Sequence, residues 1–517
     1  MLTHRDVLRR TASSYGDRIA ILDEAGQSLN YRQLDARTDA IADGLVAAGL
    51  RPGDRVVWLS KNCVEYLLVY FATAKAGLVI APLNYWLRPG ELDQLTGLVE
   101  PAAVFASAEY AELVESLPSV AAVRLRVTLG PARAGWTEFG SLQATTDATV
   151  VTGALDHVAN DENALHEIIF TSGTTGQSKG VMRSQRKRIL DSMNAALAFE
   201  LGRNDHMVFY GPQFHVGGAS VPNQLLVQGG TVSIITFDPA VAVETIKRGV
   251  TYIVGVPAHY NLIFESGALA GVDTSRVRGC YVGGSVATRQ LFEAITKHFP
   301  NADLVHGYGS TESGPHTMAL RGQDFLDHYG SLGLPVPGNE VRVAGADGGD
   351  VARGEVGELV VRSDTVMDGY WKRPDLTANA LSDDGWLRTG DLVRQDESGY
   401  FLLAGRLKDM IISGGENVYP KEVEDVIATH DSVAEVAVIG VPDPIYEERV
   451  VALVRVKPGC EGLQPAEISA FVRGQLAGFK TPREVYVVDD FPRTGIGKIS
   501  KEELKASYGS VFGKQPA

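Results

Sequence analysis

The chain has 517 residues, of which 44% are hydrophobic and 21% are charged, and its formal net charge is −15. This composition is typical of a globular protein, and at ~150 residues per domain the length predicts roughly three or four structural units. The acidic balance disfavours a nucleic-acid partner. The three cysteines, Cys63, Cys280 and Cys460, are few and far apart in sequence, which indicates reduced thiols rather than a disulfide framework.

The N-terminal segment has no apolar stretch after its basic residues, so it does not resemble a secretory signal. No apolar run approaches the ~18 residues that span a bilayer. We therefore expect a cytoplasmic protein without a membrane span.

Helices alternate with strands in the first part of the chain. A helix is predicted from Asn30 to Ala48, because Asn30 can cap it and Gln33 completes a capping box three residues later. Gly49 ends this helix, and the apolar run Val56–Leu59 is predicted to be a strand. Repetition of this pattern predicts an α/β fold in which helices cover parallel sheets.

The pattern changes at about residue 338. From Gly338 to Leu403, short alternating segments such as Glu340–Val343 and Glu358–Val361 are separated by Gly and Asp, which predicts a small antiparallel β unit.

The last hundred residues differ again. A helix that begins at Pro420 is followed by two apolar runs, at residues 433–441 and 450–456, that are predicted to be strands. Residues 410–517 are therefore predicted to form a separate small α+β domain.

The most informative motif follows the apolar run Ile168–Phe170, which is predicted to be a buried strand. Glycine lets the backbone approach a ligand, hydroxyl and backbone N–H groups donate to phosphate oxygens, and lysine adds a positive charge. A loop with all of these features predicts a nucleoside triphosphate site. Its residues are Thr171, Ser172, Gly173, Thr174, Thr175, Gly176, Gln177, Ser178 and Lys179.

The spacing of this loop differs from that of a Walker P-loop. A P-loop needs Gly-Lys-Ser/Thr at its end, whereas Lys179 follows Ser178 and precedes Gly180. This disfavours an ordinary P-loop kinase or ATPase. The alternative interpretation is a polar surface loop.

Four further segments offer groups that the same ligand needs. His306–Glu312 combines an aromatic ring, hydroxyl groups and a carboxylate, which suit a purine and a Mg²⁺–phosphate unit. Trp386–Asp391 ends in a carboxylate after a tight turn, where it can accept hydrogen bonds from ribose. Gly405–Asp409 lies at the predicted domain boundary, and Pro492–Lys498 places one lysine on a Gly-rich turn.

In this order and spacing, these five segments resemble the motifs of the adenylate-forming superfamily, which includes acyl-CoA synthetases, adenylation domains of peptide synthetases and firefly luciferase. The resemblance runs from about Tyr31 to Lys505. It implies a large N-terminal AMP-binding domain (residues 1–405) of two α/β subdomains plus a small β-barrel. A hinge (406–409) and a small mobile α+β C-terminal domain (410–517) would follow.

The resemblance also implies a role for each matching segment. Glu312 would hold Mg²⁺, Thr311 would bind the α-phosphate, and Lys498 would bridge the acid carboxylate and the α-phosphate. Lys408 would be the hinge residue, and Ser178 stands where the family usually has proline. The residues implied in binding ATP and AMP are Thr171, Ser172, Gly173, Thr174, Thr175, Gly176, Lys179, Gly283, Gly284, Ser285, Tyr308, Gly309, Ser310, Thr311, Asp391 and Arg406.

Two further sets of residues would contact the other substrates. His215, with an implied catalytic role, would lie at the mouth of an acid pocket formed by His215, Val216, Gly217 and Gly307. Rotation of the C-terminal domain would bring up a channel for CoA formed by Ser413, Gly414, Gly415 and Glu416.

The implied reaction is that of an acyl-CoA synthetase, with ATP and CoA as co-substrates and Mg²⁺ as the metal. Small residues at Gly217, Gly218 and Gly307 are expected to leave room in the pocket, which favours a medium-chain or aromatic acid over acetate. Malonate-type relatives have an arginine where this chain has Gly307, so a dicarboxylate is disfavoured. A homodimer is expected only at the level of the family.

Several alternatives stay open. The acyl group can pass to a carrier protein or to an amine instead of CoA, or the chain can bind nucleotide without catalysis. The joint presence of Lys498, Glu312 and Asp391 argues against the last alternative. Asp391 can also simply shape its turn, and Tyr308 and His215 can be packing residues.

Arg183, Arg186, Lys187 and Arg188 form a basic cluster just after the phosphate loop, in a departure from the family's pattern. We expect it to be a solvated helix face. The sharper alternative is a contact with the nucleotide phosphates of CoA or with an acidic carrier protein.

Overall fold

A computed structural model of the chain describes residues 1–143, 154–171, 178–284, 287–413, 416–493 and 499–507. The strands, numbered in chain order, are β1 (Ile19–Leu22), β2 (Ser28–Asn30), β3 (Arg55–Leu59), β4 (Val79–Pro82), β5 (Ala103–Ala106), β6 (Leu125–Thr128), β7 (Thr137–Glu138), β8 (Leu165–Thr171), β9 (Lys179–Ser184), β10 (His206–Phe209), β11 (Thr231–Ile234), β12 (Tyr252–Gly255), β13 (Gly279–Val282), β14 (Asp303–Ser310), β15 (Gly314–Arg321), β16 (Leu334–Pro335), β17 (Asn339–Ala344), β18 (Val356–Ser363), β19 (Gly369–Tyr370), β20 (Leu387–Gln395), β21 (Phe401–Arg406), β22 (Ile411–Ser413), β23 (Glu416–Val418), β24 (Val433–Asp443), β25 (Glu447–Val456) and β26 (Glu484–Val487).

The α-helices are α1 (His4–Tyr15), α2 (Tyr31–Ala47), α3 (Val64–Lys75), α4 (Pro89–Val99), α5 (Ala111–Ser116), α6 (Phe139–Gln143), α7 (Gln185–Ala198), α8 (Gly217–Leu226), α9 (Pro239–Lys247), α10 (Pro257–Glu265), α11 (Arg289–His298), α12 (Asp324–Asp327), α13 (Pro374–Ala380), α14 (Pro420–Ala428), α15 (Pro465–Arg473) and α16 (Lys501–Ser507). Short 3₁₀ helices cover Ala108–Tyr110, Pro118–Val120, Ala154–His157, Leu407–Asp409 and Gly478–Lys480.

The chain divides into two compact units. The first comprises Met1–Val341 and Val361–Thr389, and the second comprises Arg342–Val360 and Gly390–Ala517. The predicted domain boundaries at residues 405 and 410 stay predictions.

The first unit contains two large sheets. The nine-stranded sheet has the order β16-β15-β14-β13-β12-β10-β11-β1-β2, and the eight-stranded sheet has the order β19-β9-β8-β4-β3-β5-β6-β7. Helices α2, α3, α7 and α8 pack between them, and α7 contacts β9 of one sheet and β15 of the other. Their apolar side chains form a core that includes Leu34, Tyr70 and Leu225, each of which is fully buried. This layered arrangement confirms the predicted α/β class.

The prediction of parallel sheets is correct only for the sheet interiors. The inner strands, such as β10, β12, β13 and β14, pair in parallel, but β8 with β9 and β14 with β15 pair antiparallel. The turn from Ser310 to Gly314 joins β14 directly to β15. So short a connection leaves no room for the crossover helix that parallel pairing needs.

The predicted local elements are otherwise close to the observed ones. The helix predicted at 30–48 is α2, in which Asn30 and Gln33 form the expected capping box. In the second unit, the strands predicted at 433–441 and 450–456 are β24 and β25, which form one long antiparallel pair.

The second unit holds a sheet in which β23, β22, β25 and β24 follow one another and β26 pairs with β25. Helices α14 and α15 cover its apolar face, where Val423, Ile427 and Ile468 are fully buried. Strands β17, β18, β20 and β21, in the region predicted to be a small antiparallel β unit, form a four-stranded sheet. No helix among the described residues is both long enough and apolar enough to cross a membrane.

Candidate active site

The predicted phosphate loop joins two antiparallel strands. β8 ends at Thr171 and β9 begins at Lys179, and these two residues are paired across the strands. Residues Ser172, Gly173, Thr174, Thr175 and Gly176 of the loop lie outside the described residues. A strand follows the loop, whereas a helix follows a P-loop, so the exclusion of a Walker site agrees with the observed local fold.

A tight turn carries the predicted α-phosphate and metal residues. Ser310 and Ser313 exchange hydrogen bonds, since the Ser313 hydroxyl accepts from the Ser310 backbone N–H (3.1 Å) and the Ser310 hydroxyl accepts from the Ser313 N–H (3.0 Å). A Cβ on Gly309 would lie only 2.3 Å from the Gly314 carbonyl oxygen. The turn is therefore held closed, with Thr311 and Glu312 at its tip.

Tyr370 connects the two predicted phosphate-handling side chains. Its hydroxyl donates to Oε1 of Glu312 at 3.0 Å, and the ammonium group of Lys179 lies 5.1 Å from the centre of its ring. Burial, followed by the negative charge of Glu312, raises the pKa of Tyr370 far above its usual value, so the hydroxyl keeps its proton. No sequence motif pointed to Tyr370, because its partners lie 58 and 191 residues away in the chain.

The environment of Glu312 fits a magnesium ion. The carboxylate is half-buried, and among the described residues only Oε1 takes part in a hydrogen bond. Mg²⁺ in nucleotide sites is held by one or two carboxylates together with substrate phosphates, so one protein ligand is sufficient. The described residues contain no cluster of three or more acidic, His or Cys side chains that can hold a metal by themselves.

The predicted adenine segments lie at the carboxyl ends of neighbouring strands. Gly283 and Gly284 directly follow β13, Tyr308 lies near the end of β14, and Val282 of β13 is paired with His306 of β14. Ligands of open α/β sheets bind at this edge. Tyr308 is half-buried. Ser285 lies outside the described residues.

Aromatic side chains lie close to the predicted acid-binding turn, which comprises residues 215–217. The rings of Phe214 and His215 lie 4.4 Å apart, and Phe214 also contacts Tyr85 (5.3 Å) and Trp86 (5.4 Å) edge to face. Trp86 is 55% exposed. His215 itself is half-buried at the turn that leads into α8, with Val216 and Gly217.

The expectation that glycines leave room in this pocket is wrong for two of the three positions. A Cβ on Gly307 would lie 2.2 Å from the hydroxyl of Tyr281, and one on Gly218 would lie 2.0 Å from the Gln213 carbonyl oxygen. At Gly217 the nearest atom is 3.5 Å away. Gly218 and Gly307 therefore permit close packing, and the space in front of Gly307 is filled by Tyr281.

The basic cluster is not a solvated helix face. Arg183 and Arg188 are fully buried, and Arg188 forms an ion pair with Glu167 (2.5 Å). Arg186 pairs with Glu162 at 2.9 Å, and Lys187 donates to the Val366 carbonyl at 2.6 Å. For the two buried arginines, the solvated face and the contact with CoA or a carrier protein are therefore both wrong, because neither water nor a CoA phosphate can reach them. The apolar sequence around Glu167 gave no hint of a buried carboxylate partner.

The second unit contains the predicted ribose and CoA residues. Asp391 is buried and pairs with Nε of Arg406 at 3.0 Å, across strands β20 and β21. Lys408 is exposed in the Leu407–Asp409 turn, inside this unit. Ser413 is buried and faces the exposed Glu416 across the β22–β23 hairpin. Gly414, Gly415 and Lys498 lie outside the described residues.

The cysteines agree with the expectation of unpaired thiols. Cys63, Cys280 and Cys460 all lie among the described residues and form no disulfide.

Comparison with known proteins shows the family. A family model described as AMP-binding enzyme matches residues 8–371, and one described as AMP-binding enzyme C-terminal domain matches residues 422–498. A feruloyl-CoA synthase from Amycolatopsis sp is 36% identical over 94% of this chain and 95% of that protein.

Two solved structures have the same fold over nearly the whole chain. ATP-bound MatB from Rhodopseudomonas palustris is 30% identical, with a TM-score of 0.85 over 98% of this chain and 99% of that chain. The amide bond synthetase McbA from Marinactinospora thermotolerans is 29% identical, with a TM-score of 0.86 over 98% of this chain and 99% of that chain. This chain therefore belongs to the AMP-binding enzyme family and, within it, to the AMP-forming acid–CoA ligases.

Proposed function

We propose that the enzyme adenylates an aromatic or medium-chain carboxylic acid and transfers the acyl group to CoA. The observation that carries the adenylation site is the contact of Tyr370 with both Lys179 and Glu312. It supports the assignment of Lys179 to the β- and γ-phosphates and of Glu312 to the metal, because a cation and a metal-binding carboxylate then flank one triphosphate.

In the first half-reaction, a carboxylate oxygen of the acid forms a bond to the α-phosphorus and the α–β phosphoanhydride bond breaks, releasing pyrophosphate. Two anions must approach, so the barrier is largely electrostatic. Lys179 and Thr311 would orient the phosphates, and Lys498 would neutralise the carboxylate. A magnesium ion on Glu312 would supply further positive charge to the triphosphate.

In the second half-reaction, the CoA thiol loses its proton, its sulfur attacks the acyl carbon, and AMP leaves. Asp391 and Arg406 are proposed to bind the ribose, and the adenine would lie against Gly283, Gly284, Ser285 and Tyr308. Rotation about Lys408 would exchange Lys498 for the hairpin that carries Ser413, Gly414, Gly415 and Glu416. The pairing of the buried Asp391 carboxylate with Arg406 supports the ribose assignment, because burial and the ion pair keep the carboxylate oriented.

An aromatic acid is favoured among the candidates. The ring of Phe214 lies beside His215 and contacts Tyr85 and Trp86, and this group of rings offers edges and faces for another ring. Tyr281 limits the space at Gly307 and leaves none for the guanidinium of an added arginine. The likeness to a feruloyl-CoA synthase, which by name makes a CoA thioester of an aromatic acid, supports the same class.

The test is pyrophosphate release with Mg-ATP across a panel of acids, each with and without CoA. The panel contains acetate, malonate, fatty acids of increasing length, benzoate and cinnamate types. We expect the highest kcat/KM with a cinnamate-type or medium-chain acid and steady turnover only with CoA. A preference for acetate or malonate contradicts the proposed substrate class.

A second candidate acceptor has a specific observation behind it, the likeness to an amide bond synthetase. If the acyl group goes to an amine or a carrier protein, pyrophosphate appears in a single-turnover burst that CoA does not change. Addition of the true nucleophile then restores turnover.

A further inference from the structure

A buried cluster of ionic side chains lies beneath the proposed acid and phosphate sites. Glu167 is on β8, Arg183 is near the end of β9, and Arg188 and Asp191 are on α7. The exposed fraction is 0% for Glu167, Arg183 and Arg188 and 2% for Asp191. Two positive and two negative charges give a neutral cluster, which makes the burial of arginine tolerable.

Arg188 reaches the acid-binding turn from inside. Its Nε lies 2.5 Å from the Glu167 carboxylate, and its Nη2 donates to the Val216 carbonyl oxygen at 3.0 Å. Val216 follows His215 directly and precedes α8. The position of the His215 backbone is therefore tied to a charge anchored in the eight-stranded sheet.

Arg183 reaches in the same way the turn from Ser310 to Gly314, which carries Thr311 and Glu312 and is called the phosphate turn below. Its Nη2 donates to the Thr311 carbonyl oxygen at 2.5 Å, and its Nη1 donates to the Thr365 carbonyl oxygen. The N–H of Met367 in turn donates to the Glu312 carbonyl oxygen at 2.8 Å. Arg183 thus joins the turn at Thr311 to the segment of Thr365 and Met367, which contacts the same turn at Glu312.

The cluster is a poor source of stability. Nε of Arg183, Nη1 of Arg188, Oε1 of Glu167 and Oδ2 of Asp191 form no hydrogen bond with any described residue. Buried ion pairs of this kind are often no more stable than an apolar replacement. An apolar replacement lacks the two guanidinium groups that donate to the carbonyl oxygens of Val216 and Thr311.

We propose that Arg183 and Arg188 are positioning residues, with Arg188 fixing the acid-binding turn through Val216 and Arg183 fixing the phosphate turn through Thr311. This inference rests on the proposed function, because the roles of His215 and Glu312 belong to it. Each arginine serves a different turn, so their loss has separate kinetic effects. Loss of one charge-assisted hydrogen bond is expected to change the affected KM by roughly tenfold.

The experiment compares two variants that avoid an unpaired buried charge. The double variant E167M/R188M replaces the ion pair with apolar side chains, and Arg183→Lys keeps the charge but removes the fork that reaches two carbonyls. Arg186→Met is the matched control, because Arg186 lies in the same helical turn as Arg188 and pairs with Glu162 and Asp364, neither of which belongs to the acid-binding turn or the phosphate turn. Melting temperature and active-site titration establish the folded fraction of each variant.

We expect E167M/R188M to raise KM for the acid about tenfold with KM for Mg-ATP within twofold of the wild type. Arg183→Lys should raise KM for Mg-ATP about tenfold with KM for the acid within twofold of the wild type. Arg186→Met should change neither KM value. Folded variants with both KM values unchanged, or with a lower kcat that merely follows the folded fraction, overturn the proposal.

Two further variants separate this inference from the proposed function. His215→Ala should raise KM for the acid, and Glu312→Gln should raise KM for Mg-ATP. If they do and the arginine variants do not, the positioning role alone is wrong. If His215→Ala and Glu312→Gln shift neither value, the proposed function is wrong and the positioning role falls with it.

Discussion

The hydroxyl group of Tyr370 offers a test of the phosphate site by the loss of a single oxygen atom. Tyr370→Phe keeps the ring beside Lys179 and removes only the donor to Oε1 of Glu312, a contact of 3.0 Å. Hydrogen bonds to a charged group contribute about 1.5–3 kcal/mol. Since 1.36 kcal/mol corresponds to a factor of ten in rate, kcat/KM for Mg-ATP should fall by about 10- to 150-fold.

The assay is pyrophosphate release at saturating acid with Mg-ATP varied, followed by the converse experiment. KM for the acid should stay unchanged, because Tyr370 has no contact with the acid-binding turn among the described residues. Tyr252→Phe is the control, since it removes the hydroxyl of a buried tyrosine whose oxygen bonds no described residue. The reasoning is refuted if Tyr370→Phe and Tyr252→Phe give the same kcat/KM, or if KM for the acid changes in parallel.

Three further predictions concern stability. Gly307→Ala should destabilise the protein by about 1–3 kcal/mol in urea unfolding, because the new Cβ would lie 2.2 Å from the Tyr281 hydroxyl, and the cost should shrink in a Tyr281→Leu background. Burial lowers the pKa values of His4 and His316 from 6.5 to about 3. Below pH 6.5 the unfolded chain therefore binds more protons than the folded one, and the free energy of unfolding decreases as the pH is lowered. The loss should be about 2 kcal/mol per histidine at pH 5, and an unaltered slope of stability against pH in His316→Leu would contradict it. Glu447→Gly should stabilise by about 1 kcal/mol, because Glu447 has a φ of +66°, and an unchanged or lower melting temperature would count against that strain.

Much of the fold follows from local sequence. The capping box of Asn30 and Gln33 identifies the start of α2, and the apolar run before Thr171 identifies β8, because both signals involve neighbouring residues. Their physical cause is local, so no knowledge of the tertiary structure is needed. The antiparallel edges of the sheets were missed, since strand direction depends on how the chain returns and not on the strand's own pattern.

The same distinction explains which parts of the candidate site could be predicted. Glycines, hydroxyls and Lys179 are recognisable because a phosphate needs them within one loop. The environment of a residue is set by distant segments, and pattern alone does not specify it. Gly307 looked like open space, yet its neighbour in space is Tyr281, 26 positions away on the adjacent strand.

The arginines show the limit most clearly. Four basic residues within six positions resemble a solvated helix face, because most such runs are solvated. The burial of Arg188 is made tolerable by the carboxylate of Glu167, on a strand whose side chains are mostly apolar. Arg183 has as its partner a carbonyl group 128 residues further along the chain. A carbonyl group is present at every residue and leaves no trace in the sequence. A basic cluster next to a substrate loop can therefore act through the backbone beneath the site, without touching the substrate, and only variants that separate the two KM values distinguish these roles.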